Sequence, residues 1–439
     1  MRRKFISLFF LLFTDLIMIF ISLFLSVYIR NNILVYFIQF QPVEYIDYLV
    51  YPFPYIIITM LFLYFGLYNR HYDFWQELLI IFKVCLISFV VIFSTLALGK
   101  NIEYYSRTTL ILTFMSSILL LPLGRLFIKN WLFKIGIWVK KIKFIGEITE
   151  LDMKLISSSY AGYVQARGDD YDILFISSSN IDPIKLDKII EVNTENHKEI
   201  LFVPVLKQYD FSQLVLYQSF DTRVNLFSLE NKLLSRVNRT IKTMMDYLLV
   251  LIFFPIWGSS IFLISLIIKI NDPKGNVFFL QKRLGKEGRI FYCYKFRTMV
   301  SDQSFMDKWL IDNPKEKVYY TIYHKYMNDP RITRLGHFLR KTSLDELPQL
   351  FNVLKGDMSL VGNRPYMIEE QQKMKEAASI ILMSKPGVTG LWQVSGRSDV
   401  SFEERLQIDS WYIKNWSIWN DIVILFKTIG VVLRKDGAS

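Results

Sequence analysis

Residues 247–268 read Tyr-Leu-Leu-Val-Leu-Ile-Phe-Phe-Pro-Ile-Trp-Gly-Ser-Ser-Ile-Phe-Leu-Ile-Ser-Leu-Ile-Ile, a run without a single charge. How this run meets a membrane decides where everything after it lies. It is long enough to cross a bilayer core, which takes about 20 apolar residues. Yet Pro255 and Gly258 interrupt its middle, where a proline removes a helix hydrogen bond and kinks the axis. Arg236, Arg239 and Lys242 precede it, and Lys269, Lys274, Lys282, Arg283 and Lys286 follow it. A spanning helix shows an imbalance of positive charge between its ends, whereas a segment that dips in and returns is basic on both sides. Residues about 242–270 are therefore expected to form a re-entrant, broken helix with Pro255 as its structural break.

Upstream lie four more apolar stretches of spanning length, near Phe5–Ile29, Tyr48–Tyr68, Leu78–Leu98 and Thr109–Ile128. Hydrophobic residues make up 52% of the 439, with 36 phenylalanines, too apolar for a soluble enzyme. Arg2, Arg3 and Lys4 place the N-terminus in the cytoplasm, and an even number of spans returns the chain there, where Lys129, Lys134, Lys140 and Lys141 agree. Arg30, Lys100 and Arg107 fall in the outer loops and are less decisive. With no A-x-A cleavage site, the first stretch reads as a retained span. Asp15 and Lys83 lie inside spans without an identifiable partner, and are assigned to helix packing. Residues 1–135 thus read as a four-helix transmembrane bundle.

From residue 136 to 232 short apolar runs alternate with polar segments. Ile142–Gly146, Tyr171–Ser177 and Glu199–Val205 read as buried strands and Ile184–Val192 as a connecting helix, the pattern of a parallel α/β domain. A Rossmann-like fold fits, but Gly146 is followed by Glu-Ile-Thr-Glu rather than the glycines that admit a pyrophosphate. This middle domain lacks the nucleotide fingerprint, and scaffolding, regulation or dimerisation is its expected role. Two cysteines, Cys85 and Cys293, and four scattered histidines give no metal or disulfide framework.

Residues 233–439 carry the chemistry. Arg340-Lys341-Thr342-Ser343-Leu344-Asp345-Glu346-Leu347-Pro348 sets two carboxylates behind two cations. Pro348 suits only the first turn of a helix, so the helix is expected to begin around Asp345, with capping by Asp345, or by Ser343 and Glu346, as the plain structural alternative. A carboxylate can be a nucleophile toward phosphorus, and its neighbour can hold Mg²⁺ on phosphate oxygens. In Phe291–Met299, alternation puts Lys295 and Arg297 on one strand face, suited to phosphate. Gly356–Pro365 is a loop presenting Arg364, and Lys385–Arg397 is a turn-rich loop with Gln393 and Arg397 as polar candidates. The tail, Trp411–Arg434, mixes Trp411, Tyr412, Trp416 and Trp419 with apolar turns and is expected to lie in the membrane interface.

The string SLDELPQLFNVLKGDMSLVGNRP, with KFRTM before it and KPGVTGLWQVSGR after it, resembles the bacterial polyprenyl-phosphate phosphoglycosyl transferases of the large monotopic type, over residues about 236–439. The resemblance implies an α+β catalytic domain with a re-entrant membrane helix on the cytoplasmic face of the inner membrane. It implies that Asp345 is the nucleophile toward a UDP-sugar, expelling UMP, that polyprenyl phosphate then attacks the phosphosugar-aspartyl intermediate, and that Glu346 is associated with Mg²⁺. Arg364 matches the phosphate-binding arginine of the family's Gly-Pro-Arg-Pro motif, with Asn363 in place of the first proline. Lys295, Arg297, Arg340, Gln393 and Arg397 complete the expected substrate-binding set, membrane lipid is an expected partner, and a homodimer is the expected assembly.

A nucleotide-sugar dehydratase is excluded by the missing glycines and by the lack of any Tyr-x-x-x-Lys pair. An inert scaffold would be expected to lose the acidic pair or the arginines. The net charge of +12 largely flanks membrane segments and, with no recognised nucleic-acid motif, is assigned to anionic lipid.

Overall fold

A computed structural model describes the chain apart from residues 1, 39–40, 99–105, 147–157, 167, 169, 178–185, 187–188, 191, 194–198, 204–214, 220–223, 229–230, 317–318, 320–325, 396–399 and 435–439. It forms two compact units, Met1–Lys207 and Gln208–Ser439.

The first unit opens with helices α1 (Arg2–Asn32), α2 (Phe53–Tyr64), α3 (Phe74–Leu98) and α4 (Arg107–Lys134). These four, with their short extensions, are long and apolar enough to cross a bilayer. Their outer faces are apolar, unlike those of a soluble protein. Phe5, Phe9, Phe20, Phe24 and Leu119 face outward, while Ser22, Ser26, Thr113 and Ser117 are buried. Small and polar side chains at helix contacts with apolar ones outside mark a membrane protein. One such contact joins Ser26 and Thr113 hydroxyls across α1 and α4 at 2.8 Å.

Asp15 has a partner that the sequence did not reveal. Arg125 of α4 grips both its carboxylate oxygens, at 2.9 and 2.6 Å, and reaches Glu77 of α3 at 2.7 Å. Lys129 pairs with the other Glu77 oxygen. All four side chains are fully buried, so Lys129 is a core residue, not a surface flank. Lys83, the second charge that the sequence reading placed inside a span, lies on an exposed helix face.

Beyond α4 the chain forms β1 (Lys140–Ile145), β2 (Tyr163–Gln165), β3 (Ile173–Ser177) and β4 (Glu199–Val203). They make a parallel sheet in the order β2-β1-β3-β4, as the alternation of apolar runs predicts. Ile142, Ile173 and Phe175 bury into its small core. The predicted helix Ile184–Val192 lies largely outside the described residues.

In the second unit, the hairpin β5 (Val215–Ser219) and β6 (Val224–Ser228) precedes helices α5 (Arg236–Ile252) and α6 (Phe254–Asn271). The apolar run is therefore broken at Phe253, not at its middle. Pro255 lies in the first turn of α6, where its missing N–H costs nothing, and Gly258 is helix interior. The Trp257 indole N–H donates to the Val250 carbonyl at 2.7 Å, pinning the two helices across the break. Two polar links tie α5 to later elements: Asp246 accepts from Ser359, and Lys242 donates to Asp421, both at 2.6 Å.

The hairpin β7 (Phe278–Leu284) and β8 (Ile290–Phe296) follows, then α7 (Arg334–Thr342), α8 (Gln349–Lys355), β9 (Ser359–Val361), β10 (Gly387–Thr389), α9 (Leu391–Ser395), α10 (Phe402–Lys414) and α11 (Ile418–Arg434). Strands β9 and β10 pair in parallel. Here the tail departs from expectation. Tyr412 and Trp416 are 1% and 2% exposed. Both donate to Asp421, at 2.7 and 3.0 Å. The buried carboxylate draws these rings into the core, so they do not lie in a membrane interface. Phe426 and Ile429 of α11 do face outward.

Candidate active site

Helix α7 starts with a true cap, Thr333 accepting from the Gly336 amide at 2.9 Å. It ends at Ser343, which takes a left-handed conformation, φ +55°, uncommon for a residue with a Cβ. The chain then makes one 3₁₀ turn, Leu344–Glu346, before Pro348 leads into α8. The acid pair therefore sits in this tight turn and not in the first turn of an α-helix. The reason is Ser343: its left-handed cap closes α7, and four residues, Leu344–Leu347, follow before Pro348, φ −62°, leads into α8. Neither Ser343 nor Pro348 caps a helix through its side chain, so the capping explanation of the carboxylates is not realised. At its far end α8 closes on Gly356, φ +84°, a conformation that glycine adopts without strain.

Asn352 fixes α8 against the hairpin. Its side-chain oxygen accepts from the Tyr294 amide at 3.0 Å, and its nitrogen donates to the Tyr292 carbonyl at 2.7 Å. That places β8 beside the 3₁₀ turn, and Lys295 donates to Glu346 Oε1 at 2.7 Å. Burial first, and the Glu346 charge second, push the Asp345 carboxyl up to about 6, against Lys295 and Arg340. Burial opposes the Lys295 charge, but Glu346 and then Asp345 hold its ammonium above the usual range.

These groups line a cavity of about 1030 Å³. Asp345, Glu346, Lys295, Arg297, Arg340, Arg364 and Gln393 all contribute to its wall. Arg397 lies outside the described residues. The arginines are not equally available. Arg297 donates to Asp272, at the end of α6, at 2.7 Å. The same carboxylate accepts from the Ser301 hydroxyl at 2.6 Å, the main cause of an Asp272 pKa lowered to about 2. Arg340 bonds to the Thr298 hydroxyl at 3.0 Å, and Gln393 donates to the Val388 carbonyl at 3.5 Å.

Arg364 is held through its backbone. Its amide donates to Asp409 of α10 at 3.2 Å, and Tyr366 donates to the same oxygen at 2.8 Å. Burial pushes the Asp409 carboxyl up to about 7. Asn363 keeps the loop in shape: its amide group donates to the Arg364 carbonyl and accepts from Ser384, both at 3.0 Å. Two further cavity residues escaped the sequence reading. Trp392 and Arg405 sit with Arg364 in one group, both guanidinium carbons lying over the Trp392 ring. Trp392 stood inside a motif already quoted. Arg405 had a fainter signal, a cation one helical turn before the buried Asp409.

A family model described as "Bacterial sugar transferase" matches residues 237–435. Among relatives, an undecaprenyl-phosphate galactose phosphotransferase of Salmonella typhimurium is 36% identical over 84% of this chain and 84% of its own length. A UDP-galactose-lipid carrier transferase of Erwinia amylovora gives the same figures. A UDP-glucose:undecaprenyl-phosphate glucose-1-phosphate transferase of Escherichia coli is 31% identical over 62% of this chain and 58% of its own. With likeness of this extent, the chain belongs to the bacterial sugar transferases, the polyprenyl-phosphate phosphoglycosyl transferase family that its motifs resemble. It is an enzyme of the phosphoglycosyl transferase class.

Proposed function

We propose that this protein transfers a sugar-1-phosphate from a UDP-sugar to undecaprenyl phosphate, releasing UMP and starting a surface polysaccharide. The observation that carries the reading is the acid pair inside a cationic cavity, with Glu346 clamped by Lys295 and Asp345 left to react. An Asp345 oxygen attacks the sugar-bearing β-phosphorus, the bond to the bridging oxygen breaks, and its electron pair leaves on UMP. An oxygen of the lipid phosphate then attacks the same phosphorus and displaces the Asp345 carboxylate. A carboxyl with a pKa near 6 is ionised at neutral pH and more nucleophilic than an ordinary aspartate.

Glu346 and the donor phosphates would hold Mg²⁺. The donor set fits, since this hard cation takes oxygen ligands and commonly binds through one or two carboxylates plus substrate phosphates. Among the described residues no cluster of three His, Cys, Asp or Glu side chains occurs. The cation, when bound, offsets charge on the leaving phosphate.

The proposal includes a four-helix membrane bundle over 1–135, a middle domain over 136–232 and a catalytic domain over 233–439 on the cytoplasmic face of the inner membrane. It also includes a re-entrant helix and a homodimer. Support for re-entry comes from α6, whose Trp257, Ile261 and Ile268 pack along its length into one core with Phe296, Leu339 and Val353. Its other face exposes Ile256, Phe262, Leu263 and Leu266. By length and composition alone this helix could also cross a membrane; its three buried side chains in the domain's core are what favours re-entry.

The test is UMP release by purified protein with Mg²⁺, polyprenyl phosphate and a panel of UDP-sugars, in wild type and Asp345→Asn. Release with one donor, lost in the variant, is expected. A variant that keeps the wild-type rate would remove Asp345 as nucleophile.

A further inference from the structure

The cavity contains two sets of charged groups. Around the acid pair, Asp345 feels Glu346, Lys295 and Arg340. The second set is cationic and aromatic. The guanidinium carbons of Arg364 and Arg405 lie 5.5 and 4.9 Å from the centre of the Trp392 ring. All three residues line the same cavity as Asp345. Arg405 Nε and Trp392 Nε1 are buried donors with no acceptor among the described residues. One oxygen of the buried Asp409 is committed to the Arg364 amide and the Tyr366 hydroxyl, and the other has no partner among the described residues. Burial and then the neighbouring Arg364 lower the Arg405 pKa, with Tyr366, Glu370 and Asp409 opposing them.

Planar cations laid on an indole keep their orientation and present N–H edges to a ligand. Such a group suits an anion that also carries an aromatic ring. The phosphorus attacked by Asp345 must lie with the acid pair. The adjoining phosphate of a nucleoside diphosphate donor, with its base, must lie elsewhere in the same cavity. The acceptor lipid's phosphate, by contrast, bears an aliphatic chain and no aromatic group.

We infer that Trp392 and Arg405, together with Arg364, form the subsite for the nucleoside monophosphate half of the donor, the half that leaves. This rests on the transferase reading above. The subsite holds the leaving group while the phosphosugar passes to Asp345, then empties before the lipid step.

The experiment uses the full-length protein in detergent, with UMP as the binding probe. In Arg405→Gln, the UMP dissociation constant should rise at least tenfold and the KM for the UDP-sugar should rise with it. The KM for polyprenyl phosphate should change less than twofold, and thermal unfolding should match wild type. Arg405→Lys, which keeps the charge but loses the plane, should fall between. Unaltered UMP affinity in both variants, with a raised KM for polyprenyl phosphate, would assign the group to the lipid phosphate and overturn the inference. A wild-type protein that releases UMP from no donor would instead overturn the transferase reading, and this inference with it.

Discussion

Asp15, Glu77, Arg125 and Lys129 of the first unit are fully buried, and every charge there ends on an opposite one. The acid pair of the second unit is built the other way. Glu346 and Lys295 are paired but remain 32% and 23% exposed, Asp345 carries a raised pKa, and Arg364 and Arg405 face a cavity. Both clusters cost desolvation. The first recovers it by mutual neutralisation and has no reactive group left. The second leaves charge unmatched, and unmatched charge is what a phosphate ligand can use. Internal charge balance thus separates a structural cluster from a chemical one better than the residue types, which are nearly the same in both.

The widest gap between the clusters should appear with Asp345→Asn, which is expected to lower UMP release at least about 10³-fold with little change in fold. A small loss would place the acid pair with the structural cluster and end the contrast. Next comes Arg125→Leu, which strands Asp15 in the interior and leaves Glu77 with Lys129 alone. Removing one partner of a buried ion network costs about 3–5 kcal/mol, seen as a lowered unfolding temperature in detergent and poor accumulation in the membrane. If Arg125→Leu folded as well as wild type, the first cluster would not be structural.

A third test sharpens the contrast through pH. Turnover should fall as pH drops through about 6, near tenfold per unit, because Asp345 must be ionised to attack. An inflection near 4 would show an ordinary, solvated carboxylate. The same shift has a stability consequence of opposite sense. The unfolded Asp345 ionises near 4 and the folded one near 6, so the folded state holds its proton longer. The resulting cost is absent below pH ~4 and complete above pH ~6. After allowance for partial exposure, Asp345→Asn should therefore stabilise the protein by about 1 kcal/mol at pH 7, a gain that vanishes at pH 4 in thermal melts. The smallest effect belongs to Asn363→Pro, which restores the family residue but removes the links to Ser384 and the Arg364 carbonyl. A rate change under about threefold is expected in the UMP assay.

What the sequence revealed follows the range of the forces involved. Apolar runs and strand alternation are local, and they located the helices, the parallel sheet and the Lys295–Arg297 face. The acid pair and Arg364 came from a contiguous motif. Contacts between distant residues left no such trace. Asp15 and Arg125 are 110 positions apart, and nothing near either residue in the chain pointed to the pair. Pro255 was read as the kink, although proline is tolerated in a first turn and the chain breaks two residues earlier. Tyr412 and Trp416 have interface-like composition, but the buried Asp421 that captures them is invisible to hydropathy. The left-handed Ser343 escaped notice because Ser is not a residue that announces positive φ.

Asn352 has a consequence for quality control. Its one side chain reads a carbonyl and an amide two positions apart on β8, as a short neighbouring strand would. A slip of β8 by one residue would offer it groups pointing the wrong way and turn Lys295 to the opposite face. Both errors arise together, so a misthreaded hairpin cannot leave a slightly impaired catalyst. It loses its anchor and its Glu346 partner in one step. Asn352 thus works as an index pin, making activity an all-or-none report on correct threading of the domain.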